Sequence, residues 1–167
     1  MSSLHDPGSF GITAYEQFVG TPVSVVVDSW FLRRAMDTRA SGHPEAAAFL
    51  QRLDLLGTDC YYSGLTELEL IESAHSIGQP EMLAEWNEVK WSTRVHWVSI
   101  DAVTDDVEEL VADYGLTASG AVQVATAIAV EAEALVTVDP AFGSVDAATL
   151  QLLVDSASVG PARRHRR

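Results

Sequence analysis

The sequence predicts an α/β protein, a three-layer α/β/α sandwich around a mostly parallel central sheet. Two observations carry that expectation. Two apolar, β-branched runs, Val23 to Val27 and Ala134 to Val138, each stop on an aspartate, Asp28 and Asp139, and runs of that length and composition read as strands buried on both faces. Around them, helical periodicities alternate with strand-like stretches, the pattern of parallel strands joined by crossover helices. Open α/β sheets place their ligands at the carboxyl ends of such strands. Two carboxylates meeting there repel one another unless a cation lies between them, and a divalent metal is the natural occupant.

The elements follow in order. After the Val23–Val27 strand, Ser29 to Met36 continues as a short helix with Trp30, Phe31 and Leu32. Pro44 opens a helix in which Ala47, Leu50, Leu53 and Leu56 recur at helical spacing, and Gly57 closes it. Tyr61 and Tyr62 mark a second strand. Thr66 begins the next helix, with Leu68, Ile71 and Ala74 on or near one face, and Met82 to Trp91 reads as another after Pro80. Val95 to Ile100 alternates like a strand. Thr104 is expected to cap a helix carrying Val107, Leu110, Val111 and Tyr114, which Gly115 ends. Ser119 to Val130 is nearly all apolar and therefore a buried helix feeding the Ala134–Val138 strand. Thr149 to Val154 is a last strand or helix.

At 167 residues and 47% hydrophobic, the chain supports one domain with a full core. Residues 21–155 are expected to form it, with 1–20 as an N-terminal extension and 156–167 as a basic tail. Cys60 is the only cysteine, so no internal disulfide forms and a reducing compartment is expected. No signal-peptide pattern opens the chain and no apolar run is long enough to span a bilayer, so the expectation is a soluble, cytoplasmic protein. Net charge is −14, yet Arg163, Arg164, Arg166 and Arg167 hold four of the ten basic residues. The rest of the chain sets six basic against 24 acidic residues, about −18. Such a surface argues against general coating of nucleic acid and suits a basic protein partner or a bound cation.

Asp28 and Asp139 are the first candidates for metal binding, since Mg²⁺ and Mn²⁺ take a few carboxylates and several waters. The plainer readings are a helix cap for Asp28 and a turn before Pro140 for Asp139. A third acid is expected from the helix after Tyr61-Tyr62, where Glu67, Glu69 and Glu72 compete. Thr66 to Glu69 also fits a capping box, in which Glu69 would satisfy backbone donors. Glu67 and Glu69 point about 200° apart on a helix and cannot share a site. Gly120, Gln123 and Thr126 recur at three-residue steps, so they line one face of the buried helix and could look into the same cavity. The histidines His5, His43, His75, His96 and His165 are scattered, and Lys90 is the only lysine, which leaves no cluster for a metal-free route.

Four segments then resemble the successive motifs of PIN-domain proteins, closest to VapC-type toxin ribonucleases. They are Val25 to Ser29, Ser63 to Leu70, Gly120 to Ala127 and Leu135 to Phe142, and the likeness runs roughly from Thr21 to Leu153. The resemblance implies a PIN-like fold and a Mg²⁺- or Mn²⁺-dependent endoribonuclease. Matching motif to motif carries the metal-binding, catalytic acids onto Asp28, Glu69 and Asp139, and leaves Glu67 a solvated neighbour. Ser29 and Thr137 fall where the family has small hydroxyl residues beside the acids. A small antitoxin protein, an RNA substrate and a homodimer are implied as well. Two positions depart from the pattern. Gly120 stands where the family opens its helix motif with an aspartate, and Trp30 stands where it has a small polar residue. Gln123, one turn past Gly120, could hold a water or lend a carbonyl oxygen there. The expected mechanism is attack on a phosphodiester by a metal-activated water. The alternative is a catalytically impaired PIN-like domain that binds a partner, and a flavodoxin-like nucleotide module has less support because no Gly-rich loop follows the first strand.

Overall fold

The structure, a computed structural model, describes residues 12–15, 23–92, 94–137 and 151–154. Asp139 and the Arg-rich tail therefore lie outside the described residues, as does most of the segment before Val23. Among the described residues, six strands form one all-parallel sheet: β1 (Ile12–Ala14), β2 (Ser24–Val27), β3 (Asp59–Ser63), β4 (Val95–Val98), β5 (Ala134–Val136) and β6 (Gln151–Val154), in the order β1-β6-β5-β2-β3-β4. The same residues hold six α-helices: α1 (Ser29–Met36), α2 (His43–Leu55), α3 (Gly64–Ser76), α4 (Met82–Lys90), α5 (Thr104–Tyr114) and α6 (Ala118–Ala129). The chain runs from β2 outward through β3 to β4, then returns to the other side of β2 with β5. The order thus reverses between β2 and β5, and the crevice outside their carboxyl ends is the place such a sheet offers a ligand.

The three layers follow from strand periodicity. Val25 and Val27 of β2, with Ala134 and Val136 of β5, join a core made with Phe31, Leu32, Phe49, Leu53, Leu70 and Trp86 from α1 to α4. Val26 and Leu135, one residue out of step, point to the other face and pack with Val103, Leu110, Leu116 and the apolar side of α6. Central strands buried on both faces explain the unbroken valine run.

Most boundaries match the expectation, α1 to the residue. The differences have local causes. Ser63, not Thr66, caps α3: its Oγ accepts the Thr66 N–H at 3.2 Å, so the helix starts one turn earlier and the Thr66–Glu69 capping box does not form. Val103 precedes α5 without a side-chain cap, and the Thr104 hydroxyl instead donates to the Ile100 carbonyl at 2.8 Å. The stretch from Val95 ends as a strand at Val98 and turns into a 3₁₀ segment, Ile100–Ala102. On α3 the buried residues are Thr66, Leu70 and Ala74, leaving Leu68 and Ile71 exposed. On α2 they are Ala46, Phe49 and Leu53, and Leu56 is exposed. The segment 12–15 contributes an edge strand and Tyr15, fully buried, whose ring lies 5.2 Å from Phe49 and 5.6 Å from Phe31 between centroids. Among the described residues no helix is long and apolar enough to cross a membrane.

Candidate active site

Asp28 follows the last residue of β2 and caps α1, so its place is set by two elements at once. Its backbone N–H donates to the Val136 carbonyl at 3.3 Å, which continues the β2–β5 ladder to the strand ends. Its Oδ1 accepts the Phe31 N–H at 2.7 Å, an N-cap bond that also places the carboxylate in the favourable field of the helix start. Its Oδ2 accepts the Thr137 hydroxyl from the residue just past β5. Asp28 is only 3% exposed and Thr137 is fully buried. Ser29, the first residue of α1, is buried beside them. The helix-cap reading of Asp28 is therefore met, and the same side chain is locked in orientation at the strand ends.

Glu69 reaches the same sheet edge from α3. Its Oε1 accepts the Ser119 hydroxyl at 2.9 Å, in the first turn of α6, where helix amides favour an anion. One turn away, the Thr66 hydroxyl and the Gln123 amide face each other, with Gln123 Nε2 to Thr66 Oγ1 at 2.9 Å and Thr66 Oγ1 to Gln123 Oε1 at 3.2 Å. Thr66 Oγ1 also lies 3.2 Å from Ser63 Oγ at the end of β3. Two rungs, Thr66 to Gln123 and Glu69 to Ser119, thus fasten α3 to α6 and fix Glu69 relative to the strand ends. The sequence offers Thr66 only as a helix start and capping-box residue, and Ser119 only as a helix start. The visible signal for Ser119 was its place one turn before Gln123 on the helix face.

Other candidates are placed elsewhere. Glu67 is not a solvated neighbour: its Oε1 meets Lys90 Nζ of α4 at 2.5 Å, and both side chains are about three-quarters buried. Gly120 is buried, and its N–H donates to the capping Thr117 Oγ1 at 3.0 Å. Thr126 turns its hydroxyl back onto its own helix at the Val122 carbonyl, 2.7 Å away. At the opposite edge of the sheet, His96 Nε2 lies 2.9 Å from Asp59 Oδ1, and that bond, with Arg94 nearby, holds the Asp59 carboxyl below the usual carboxylate range. A cavity of about 340 Å³ also opens there, lined by Leu50, Cys60, Val89 and Val95 with Glu85 and Arg94 at its rim. It contains none of the candidate site residues.

The donors at the carboxyl edge are carboxylates and hydroxyls, hard oxygens of the kind Mg²⁺ and Mn²⁺ take, whereas Cys60 and His96 stand on strands at the other end. Among the described residues, which stop short of Asp139, no three His, Cys, Asp or Glu side chains gather into a metal-holding group. Asp28 and Glu69 offer carboxylate oxygens of the type a hard cation takes, and the third sequence candidate lies outside the described residues.

No family profile and no curated protein matches the chain. Solved structures do. A toxin-antitoxin complex from Klebsiella pneumoniae is 19% identical with a TM-score of 0.56, covering 75% of this chain and 94% of the other. VapBC2 from Rickettsia felis, bound to a promoter DNA fragment, is 17% identical with a TM-score of 0.58, covering 77% and 96%. VapC20 from Mycobacterium tuberculosis, a sarcin-ricin loop cleaving toxin, is 15% identical with a TM-score of 0.54, covering 66% and 86%. With its parallel sheet between two helical layers and its order reversing beside Asp28, the chain has the PIN-like fold of VapC-type toxin structures.

Proposed function

We propose that this chain is a metal-dependent endoribonuclease, the toxin of a toxin-antitoxin pair, acting on a structured RNA in the cytoplasm. The observation that carries the reading is Asp28: a buried carboxylate oriented by Phe31 and Thr137 at the point where strand order reverses. A carboxylate held in one orientation at the strand ends is the kind of hard oxygen donor that a divalent cation takes. Asp28 and Glu69, with Asp139, would hold Mg²⁺ or Mn²⁺. When bound, such an ion offsets charge on a scissile phosphate and acidifies a water. The protein's own share is positioning: Phe31 and Thr137 fix Asp28, and Ser119 with the Thr66–Gln123 rung fixes Glu69. Gly120 supplies no carboxylate, so three acids carry the whole task in this reading.

The described likeness to VapC20, named as a sarcin-ricin loop cleaving toxin, supports RNA as substrate. The two neighbours solved as toxin-antitoxin assemblies support a small protein partner. The net charge of −14 suits capture of a basic antitoxin segment, and a homodimer belongs to the same proposal. The test is cleavage of a structured RNA by the purified chain across Mg²⁺ and Mn²⁺ concentrations. Cuts that require the metal and vanish in Asp28→Asn and Asp139→Asn support the enzyme. Absence of cleavage at every metal concentration sinks it and leaves a binding domain with this fold.

A further inference from the structure

The rim beside Asp28 carries an aromatic group that the proposed chemistry does not use. Trp30 lies in the first turn of α1, two residues past Asp28, and keeps 53% of its surface exposed while Ser29, Phe31 and Leu32 around it are buried. Exposure of a single apolar side chain is common and decides nothing alone. Its companion is more telling. The Arg33 guanidinium stands 5.1 Å from the centroid of the Trp30 ring, within cation–π range. In a chain of net charge −14, α1 carries Arg33 and Arg34 and no acidic residue. A ring braced by a cation, next to a carboxylate edge, is what unpaired nucleobases recognise, because bases stack on indole and guanidinium planes.

We propose that Trp30, with Arg33 beside it, is a stacking platform that holds an unpaired nucleotide of the RNA next to Asp28. The inference rests on the RNA-cleaving reading of the same edge and adds how the substrate is gripped. Charge makes such a grip necessary. With six basic residues against 24 acidic ones outside the tail, the body repels phosphates and can neutralise few of them. Stacking needs only the π-face of a base, so it adds affinity without requiring a further phosphate contact. The exposed neighbourhood also favours RNA over an apolar protein segment. Beside the ring stands the partly exposed Arg33, which would leave a cation against an apolar partner and instead suits the phosphates flanking a stacked base.

The experiment measures binding of a short, labelled single-stranded oligoribonucleotide to the full chain in EDTA, by fluorescence anisotropy. Trp30→Ala is expected to weaken binding about tenfold, the order of one lost base–aromatic stack. Trp30→Phe, which keeps a ring, should stay within about threefold of the parent. Trp91→Ala removes an indole 82% exposed in the turn between α4 and β4 and should bind as the parent does. Far-UV circular dichroism shows that each variant is folded. The proposal is overturned if the parent shows no measurable affinity, if Trp30→Ala binds as the parent, or if Trp30→Phe loses as much as Trp30→Ala. Loss of a protein partner in Trp30→Ala with RNA affinity intact overturns it too. Because EDTA removes cleavage from the measurement, failure of stacking and failure of the nuclease reading are separate results.

Discussion

At the scale of single residues, Asp28 has a capping duty and a proposed metal-binding one, which substitution can separate. Asparagine caps helices as well as aspartate does, and its amide can still meet Thr137, whose hydroxyl can accept as readily as donate. Asp28→Asn should therefore keep the thermal midpoint of the parent and lose RNA cleavage by about 100-fold or more, the scale on which metal sites respond to a lost charge or ligand. Asp28→Ala removes the cap as well and should cost a further ~1 kcal/mol of stability in denaturant titration. Equal stability loss in both variants would show that the charge itself holds the fold. Cys60 makes the opposite case, a group whose chemistry is suppressed. Burial, aided by the nearby Asp59 and Asp54 carboxylates, pushes its thiol up to about 12. A folded value above the unfolded one means the proton is held more tightly in the native state. That stabilisation is complete below the ordinary thiol value near 9.0 and is lost as pH climbs toward about 12. Thermal melts should fall across that window, less steeply in Cys60→Ala, and thiol reagents at neutral pH should label Cys60 only after unfolding.

At the scale of elements, the cross-links between α3 and α6 are where the site depends on the scaffold. Thr66 and Gln123 are both buried and spend their polar groups on each other across 57 residues of sequence. Thr66→Val strands the Gln123 amide and should cost about 1–3 kcal/mol, more than the loss of one net hydrogen bond. Gln123→Leu should cost less, since Thr66 keeps Ser63. The double variant should recover part of the loss, giving a coupling energy of about 0.5–3 kcal/mol in a double-mutant cycle; simple additivity would deny that the pair acts as a rung. This pairing also marks the limit of sequence reading. The face shared by Gly120, Gln123 and Thr126 was visible from spacing, but whether it opened on a cavity or on another helix depends on α3 packing 57 positions away. The same limit applies to α3 itself. Its apolar residues Leu65, Leu68, Leu70, Ile71 and Ala74 offer more than one face, and only the contacts with α1 and α4 select Leu70 and Ala74 for the core. By contrast α1, with a capping aspartate directly after a strand, carried its boundaries in its own residues.

At the scale of the whole molecule, the alternation of elements was enough to read the layered architecture, since each valine run needed cover on both faces. The edge strand β1 was not legible, because a three-residue strand such as Ile12–Ala14 has no periodicity and gains its place only by pairing with β6, a stretch the sequence offers as a strand or a helix. Charge, however, is a whole-chain property that the sequence states completely, and it separates the two proposed partners. An acidic body attracts a basic antitoxin segment and repels RNA, and both effects are screened over a Debye length of about 10 Å at 0.1 M salt. Raising monovalent salt from about 0.03 to 0.3 M should therefore slow association with the antitoxin by several-fold while leaving the dissociation rate nearly unchanged. The same change should leave RNA association level or faster, because screening relieves repulsion and few phosphate contacts exist to be lost. Stopped-flow association of each partner, with EDTA present to prevent cleavage, reads both signs in one protein preparation. A steep fall of RNA affinity with salt would mean that a basic surface grips the phosphates after all, and the stacking edge at Trp30 would then no longer be needed to explain how so acidic a chain holds RNA.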